Sequence, residues 1–105
     1  MKRGKIWLAA LDPTVGSEIQ KTRPCLIVSP PEMNDHLRTA IVAPMTTGGH
    51  PAGFRVALTF KRKRGLVLLD QIRAIDKQRL VKRLGKAPDA TLAAVLAGLR
   101  EAFED

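Results

Sequence analysis

The chain has 105 residues, 45% of them apolar and 27% charged, which predicts one globular domain over 1–105 and excludes a disordered chain. The longest apolar run free of proline and charge, Leu92–Leu99, falls far short of the roughly 20 residues of a membrane helix. Ile6–Leu11 is stopped too soon by Asp12 to serve as a signal peptide, so a cytoplasmic protein with no membrane partner is expected. The net charge of +8 predicts a polyanion partner, nucleic acid or an acidic protein.

In chain order, Lys5–Leu11 reads as a short apolar strand, and Asp12-Pro13-Thr14-Val15-Gly16-Ser17 as turn chemistry opening a loop to Thr22. Arg23–Ser29, with Cys-Leu-Ile-Val inside it, reads as a buried strand. Pro30-Pro31 ends it, and Pro31–His36 is read as one short helical turn. Thr39–Met45 is a third strand, followed by a loop from Thr46 to Pro51. Phe54–Phe60 alternates as a fourth strand, and Lys61-Arg62-Lys63-Arg64-Gly65 reads as a basic hairpin tip. Leu66–Leu69 is a fifth strand, Gln71–Ile75 a continuation of the sheet, and Arg79–Leu84 a short strand or turn.

Pro88–Ala102 is the one helix. Pro88 suits a first helical position and Asp89 the positive end of the dipole. Leu92, Val95, Leu96, Leu99 and Phe103 form one apolar stripe at helical spacing. Short strands followed by one helix predict a small, mostly antiparallel barrel covered on one face by the C-terminal helix. The charge is uneven along this plan. Residues 88–105 hold one base and four acids, a balance of −3, and residues 1–87 hold 17 bases and 6 acids, a balance of +11.

The single Cys25 has no partner for an internal disulfide, and it reads as inert core in the middle of Leu-Ile-Val. Together with His36 and His50 it makes no zinc set, and neither a metal nor a cofactor is expected. Both histidines read as surface residues and Trp7 as core. Four aromatics, Trp7, Phe54, Phe60 and Phe103, make a poor stacking surface.

Arg3-Gly4-Lys5-Ile6-Trp7 and then Leu11-Asp12-Pro13-Thr14-Val15-Gly16-Ser17-Glu18 resemble the opening of MazF/PemK-type toxins. Thr22–Pro30, Val42-Ala43-Pro44-Met45-Thr46-Thr47, Gly65–Arg73 and Leu80–Gly85 resemble their later strands, in the same order and over nearly the whole chain. The resemblance implies an SH3-like barrel that forms a homodimer. It also implies a metal-independent endoribonuclease acting on single-stranded RNA and mRNA, the toxin of a type II toxin-antitoxin system. A cognate acidic antitoxin of the MazE type would hold it inactive.

The same resemblance singles out residues. Arg23, read alone, is a guanidinium at a strand end. Aligned with the family's key arginine, it is the group that stabilises charge on the phosphorane when RNA is cut through its own 2′-oxygen. Thr46, read alone, is turn chemistry; aligned with the family's catalytic threonine, it donates its hydroxyl to a phosphate oxygen. Glu18, read alone, is a solvated loop carboxylate; in the family the acid at this place lies at the active groove, as a general base or an orienting group. Asp70 and Gln71 terminate a strand, and by resemblance they lie near the substrate and read base edges. Thr47 is grouped with them as an RNA contact. Lys61, Arg62, Lys63 and Arg64 read as a solvated tip that adds phosphate attraction. Two positions depart from the pattern: Ser17 stands where some relatives carry His, and Leu68 where some carry Arg, so the roles of those side chains are not carried over.

The function read from the sequence is sequence-specific cleavage of single-stranded RNA, leaving 2′,3′-cyclic phosphate and 5′-hydroxyl ends and inhibiting translation and growth. Two alternatives stand beside it: a poison of topoisomerase (gyrase) of the CcdB type, which shares the fold without nuclease chemistry, and an SH3-like module that binds RNA without cutting it.

Overall fold

The computed structural model describes residues 2–105. The strands are β1 (Lys5–Ala10), β2 (Thr22–Ile27), β3 (Thr39–Thr47), β4 (Arg55–Phe60), β5 (Lys63–Leu68), β6 (Arg73–Asp76) and β7 (Leu80–Lys86), and the helices are α1 (Pro31–Asn34) and α2 (Asp89–Ala102). All strand pairs are antiparallel, in the order β4-β5-β3-β2-β1-β7 with β6 also paired to β3. The expected class, mainly β with a C-terminal helix, is the observed one. The ladder does not close into a strict barrel, however. At the seam between β4 and β7 a side chain stands in for hydrogen bonds: the Phe60 ring lies so near Gly85 that a Cβ there would meet Phe60 Cε1 at 3.2 Å.

The apolar run of β2 is explained by burial on both faces. Leu26 and Val28 join Ile6, Ala43, Met45, Val67, Leu69 and Val95 inside the coil of the sheet, beneath α2. Cys25 and Ile27 face the other way and join Ala9, Leu11, Val42 and Ile75 in a second cluster. Successive side chains of a strand point to opposite faces, so a strand between two cores needs no polar residues. Ser29 and Asn34 are the buried polar pair just beyond it. Ser29 Oγ donates to Asn34 Oδ1 and accepts from the Ile41 amide (2.9 Å), and Asn34 Nδ2 donates to the Ser29 carbonyl (2.8 Å), which ties α1 to β3.

β3 is the organising strand because it changes partners. Its start pairs with β6 (Thr39 with Asp76 to Val42 with Arg73), and its end pairs along the same edge with β5 (Met45 with Val67 to Thr47 with Gly65). From Val42 to Met45 is three steps, whereas from Val67 to Arg73 is six. The surplus residues are taken up by a 3-10 turn, Leu69–Gln71, which sets Asp70 and Gln71 beside Pro44.

Several expectations are corrected in detail. Thr46 and Thr47 belong to β3 and not to the loop, because β5 offers them partners. The basic tip shrinks to Lys61 and Arg62, since Phe60 pairs with Lys63. Both tip residues take positive φ (50° and 67°), the conformation of a two-residue hairpin usually built from Asn-Gly. Trp7 is half-buried, packed on the second cluster and lining a surface pocket with Lys2, Lys5 and Arg83. Pro88 caps α2 from outside it, and Phe103 lies just past its end, 77% exposed, so the apolar stripe runs beyond the body it was expected to cover. Among the described residues no helix is long and apolar enough to cross a membrane.

Cys25 is fully buried, and burial pushes its thiol up to about 12. The thiolate is the reactive form. A thiol reagent at pH ~8 is therefore expected to leave the native protein unlabelled and to label one group per chain in denaturant. Rapid labelling of the native protein would contradict this burial. The folded value lies above the unfolded one of roughly 8.5. The thiol's contribution to stability is thus complete below pH ~8.5 and is lost as the pH rises toward 12.

Candidate functional site

The ladder between β2 and β3 ends at Cys25 and Pro44, and beyond it a cavity of about 370 Å³ opens, within the roughly 300–1,000 Å³ of ligand clefts. Carried two residues further, the same register sets Arg23 opposite Thr46, and both line this cavity. Its walls are Thr47, Lys61, Lys63 and Arg64 on the basic side and Met45, Leu58, Phe60 and Leu84 on the apolar side. Arg23 is exposed and held by its Nε, which donates to the Gln20 carbonyl (3.3 Å). This bond leaves the guanidinium's Nη donors for a ligand. All four charged residues of the lining are cations, so the cavity attracts anions, and a planar fork beside a hydroxyl suits a phosphate.

Glu18, Asp70 and Gln71 are not in this cavity. They line a second one of about 420 Å³, with Ser17, Ile19, Pro44, Arg55, Ile72 and Arg73. The two cavities follow one another along β3: Pro44 lines one, Met45 and Thr46 the other. The loop between β1 and β2 forms the outer wall, and it is fixed by bonds to its backbone. Arg79 Nη1 donates to the carbonyls of Ala10 (3.1 Å) and Asp12 (2.6 Å), and Arg73 Nη1 to that of Leu11 (3.2 Å). Within the loop, Glu18 Oε1 accepts from the Val15 amide (2.7 Å), and Gln71 Oε1 accepts from the Ile19 amide (2.7 Å).

Asp70 is engaged as well. Arg55 Nε donates to Asp70 Oδ1 (3.2 Å) and Arg55 Nη2 to Asp70 Oδ2 (2.9 Å). The hydrogen bond from Arg55 lowers the Asp70 carboxyl below its ordinary value. Arg55 is the residue that the sequence reading missed. It belongs to no motif, and only the pairing of β4 with β5, which sets Arg55 opposite Leu68, brings its guanidinium here. Leu68 itself is buried. Of the basic run, Lys61, Lys63 and Arg64 line the first cavity and Arg62 does not. Among the described residues no three His, Cys, Asp or Glu side chains gather as metal ligands would.

Arg23, two threonines and three further cations meet in a cleft that holds no acid, on a coiled antiparallel sheet with a C-terminal helix, and this is the architecture of a small β protein with an anion-attracting groove. Residues 2–103 match the family described as PemK-like, MazF-like toxin of type II toxin-antitoxin system, and the chain belongs to that family. Endoribonuclease PemK from Escherichia coli is 47% identical over 105 residues, spanning 94% of this chain and 79% of that protein. The crystal structure of MazF from Deinococcus radiodurans superposes with a TM-score of 0.86 at 28% identity, covering 97% of this chain and 94% of that one. An endoribonuclease from Mycobacterial species, solved in complex with its cognate antitoxin, superposes with a TM-score of 0.81 at 25% identity, covering 97% and 93%.

Proposed function

We propose that this toxin is a sequence-specific endoribonuclease that cuts single-stranded RNA without a metal, through the substrate's own 2′-hydroxyl. The products are a 2′,3′-cyclic phosphate and a 5′-hydroxyl, and cutting mRNA inhibits translation and growth. The activity class rests on the family and on relatives such as Endoribonuclease PemK. The observation that carries the chemistry is the meeting of Arg23 and Thr46 in one basic cavity.

The nucleophile is internal and already close to phosphorus, and this proximity supplies much of the rate. The protein's task is to hold the scissile phosphate and to stabilise the charge that develops on it. Arg23 offers its fork to the phosphorane oxygens, and Thr46 donates its hydroxyl to one of them. Arg23 does not accept the 2′ proton, because an arginine stays protonated at neutral pH. Lys61, Lys63 and Arg64 neutralise neighbouring phosphates, Thr47 adds a hydroxyl, and Arg62 at the tip contributes to the long-range field. Glu18, at the adjoining cavity, takes the 2′ proton through a bridging water, and water supplies the proton that the departing 5′-oxygen gains.

The working unit is one domain over 1–105, pairing as a homodimer in the cytoplasm. The uncovered end of the α2 stripe at Phe103 is an apolar surface that such pairing would cover. The partner that silences the toxin is an acidic antitoxin segment laid along the face that carries the +11 balance of residues 1–87, with charge complementarity speeding association.

The test is incubation of the purified protein with a long single-stranded RNA in EDTA, with the cuts mapped and their ends analysed. Discrete cuts ending in cyclic phosphate are expected. Loss of cutting in EDTA with restoration by Mg²⁺ would overturn the metal-free chemistry, and RNA left intact in both conditions would return the protein to a binding role.

A further inference from the structure

We propose that Arg55 reads one base of the RNA, a base presenting a carbonyl oxygen, and that Asp70 is the positioning residue that holds Arg55 in place to do so. This rests on the endoribonuclease reading above and names a specificity element within it.

The two cavities differ in charge, and the difference divides the substrate between them. The cavity of Arg23 and Thr46 is lined by four cations and no acid, so phosphate belongs there. The cavity of Arg55 sets Glu18 and Asp70 against Arg55 and Arg73. A phosphate entering it would face two carboxylates. A base edge is neutral and offers donors and acceptors together, which is what a mixed lining matches. Because Pro44 and Thr46 are two residues apart on one strand, a nucleotide whose phosphate lies at Arg23 has a neighbour within reach of the second cavity.

Asp70 is poorly placed to read a base itself, because both its oxygens accept from Arg55. The guanidinium has five N–H groups in a fixed plane. The pair uses Nε–H and one hydrogen of Nη2, which leaves the second Nη2 hydrogen and both on Nη1, adjacent along the distal edge. That edge fits a carbonyl oxygen, which takes two donors, or the O6/N7 pair of guanine. Guanine, uracil and cytosine qualify; adenine has no carbonyl.

Arg55 is also held from behind. Its amide donates to the Ala52 carbonyl (3.0 Å), and the Leu69 amide donates to the Phe54 carbonyl (2.8 Å), which fastens the start of β4 to the turn that carries Asp70. Phe54 keeps φ at +65° to make this corner, a conformation that non-glycine residues hold only where their surroundings enforce it. The two side chains are 41% and 42% exposed. An ion pair so exposed does little for stability, and it is open to a ligand.

The experiment compares wild type with Arg55→Ala, Arg55→Lys, Asp70→Asn and the Arg55→Ala/Asp70→Asn double variant on an RNA pool randomised around one cut site, sequencing the products. Wild type is expected to require a carbonyl-bearing base, guanine, uracil or cytosine, at one position and to reject adenine there. Arg55→Ala should lower kcat/KM for those RNAs by about 10–100-fold and flatten the preference at that position alone. Arg55→Lys should flatten it too, because the charge without the fork does not read an edge, and it decides the matter if the alanine variant fails to fold. Asp70→Asn should flatten the same position more weakly, and the double variant should be no worse than Arg55→Ala, since Asp70 acts through Arg55. Flattening by Asp70→Asn with none in either Arg55 variant would overturn the proposal and make Asp70 the reader. A uniform fall across all sequences, with the preference intact, would overturn it and make Arg55 a phosphate contact. A wild-type protein that leaves every RNA intact would instead overturn the endoribonuclease reading.

Discussion

Replacing Arg23 by Ala is expected to lower RNA cleavage by about 10²–10³-fold, the usual loss when one donor to a developing oxyanion is removed, with the melting temperature unchanged. The two halves of that expectation have separate grounds. Arg23 lies near the start of β2, with its side chain exposed and bonded within the protein through Nε to the Gln20 carbonyl. The buried part of the strand, Cys25 to Ile27, begins two residues later. Truncation therefore removes the proposed phosphate contact without opening the core. Arg23→Lys should fail as well, because an ammonium is a point charge and does not reproduce the bidentate fork. Thr46→Ala should show a loss of the same order, because its hydroxyl is the second donor proposed for the same phosphate. Single-turnover cleavage and thermal melts on the same preparations check both halves. Wild-type rates in a folded Arg23→Ala protein would leave Arg23 as a strand end.

The strands and the helix were legible because their side chains follow the spacing of their faces. β2 announces burial on both sides by its unbroken apolar run, and α2 announces one covered face through Leu92, Val95 and Leu99. Arg23 and Thr46 were legible through motif resemblance and the bases of the tip as a charge run, and the fold brings Arg23 and Thr46 to one cavity with Lys61, Lys63 and Arg64. What was not legible depends on register and strand order, which no local pattern carries. Lys63 and Arg64 looked like tip residues because a run of four bases resembles a solvated turn, yet pairing with Thr59 and Phe60 makes them strand. Arg55 stood in no motif because its meaning comes from Leu68 and Asp70, reached across β4 and β5. The separation of Glu18 from Arg23 follows from the fold of the loop, in which Glu18 bonds back to Val15 and Gln71 holds the Ile19 amide. Local spacing could not reveal those bonds.

Gly65→Ala is expected to unfold the site from beneath. Gly65 pairs with Leu58 on one side and Thr47 on the other, and a Cβ there would lie 2.0 Å from the Thr46 carbonyl oxygen and 3.2 Å from its carbon. Those atoms are backbone and cannot swing aside as the end of a side chain would. The β3–β5 ladder must part, at a cost of about 3 kcal/mol or more, or a fall in melting temperature of roughly 12 °C or more for a chain of this size. The strand displaced is the one that carries Thr46, so cleavage should be lost even where part of the protein stays folded. Gly53→Ala is the matched control: nothing lies within 4 Å of the Cβ it would add, and it should melt and cut as wild type does. If Gly65→Ala keeps both the wild-type melting temperature and the wild-type rate, then β3 and β5 are not packed as closely at Thr46 as the structure has them. Loss of both, beside an Arg23→Ala protein that loses only the rate, would separate the residue proposed to contact the phosphate from the residue that makes room for the strand holding Thr46.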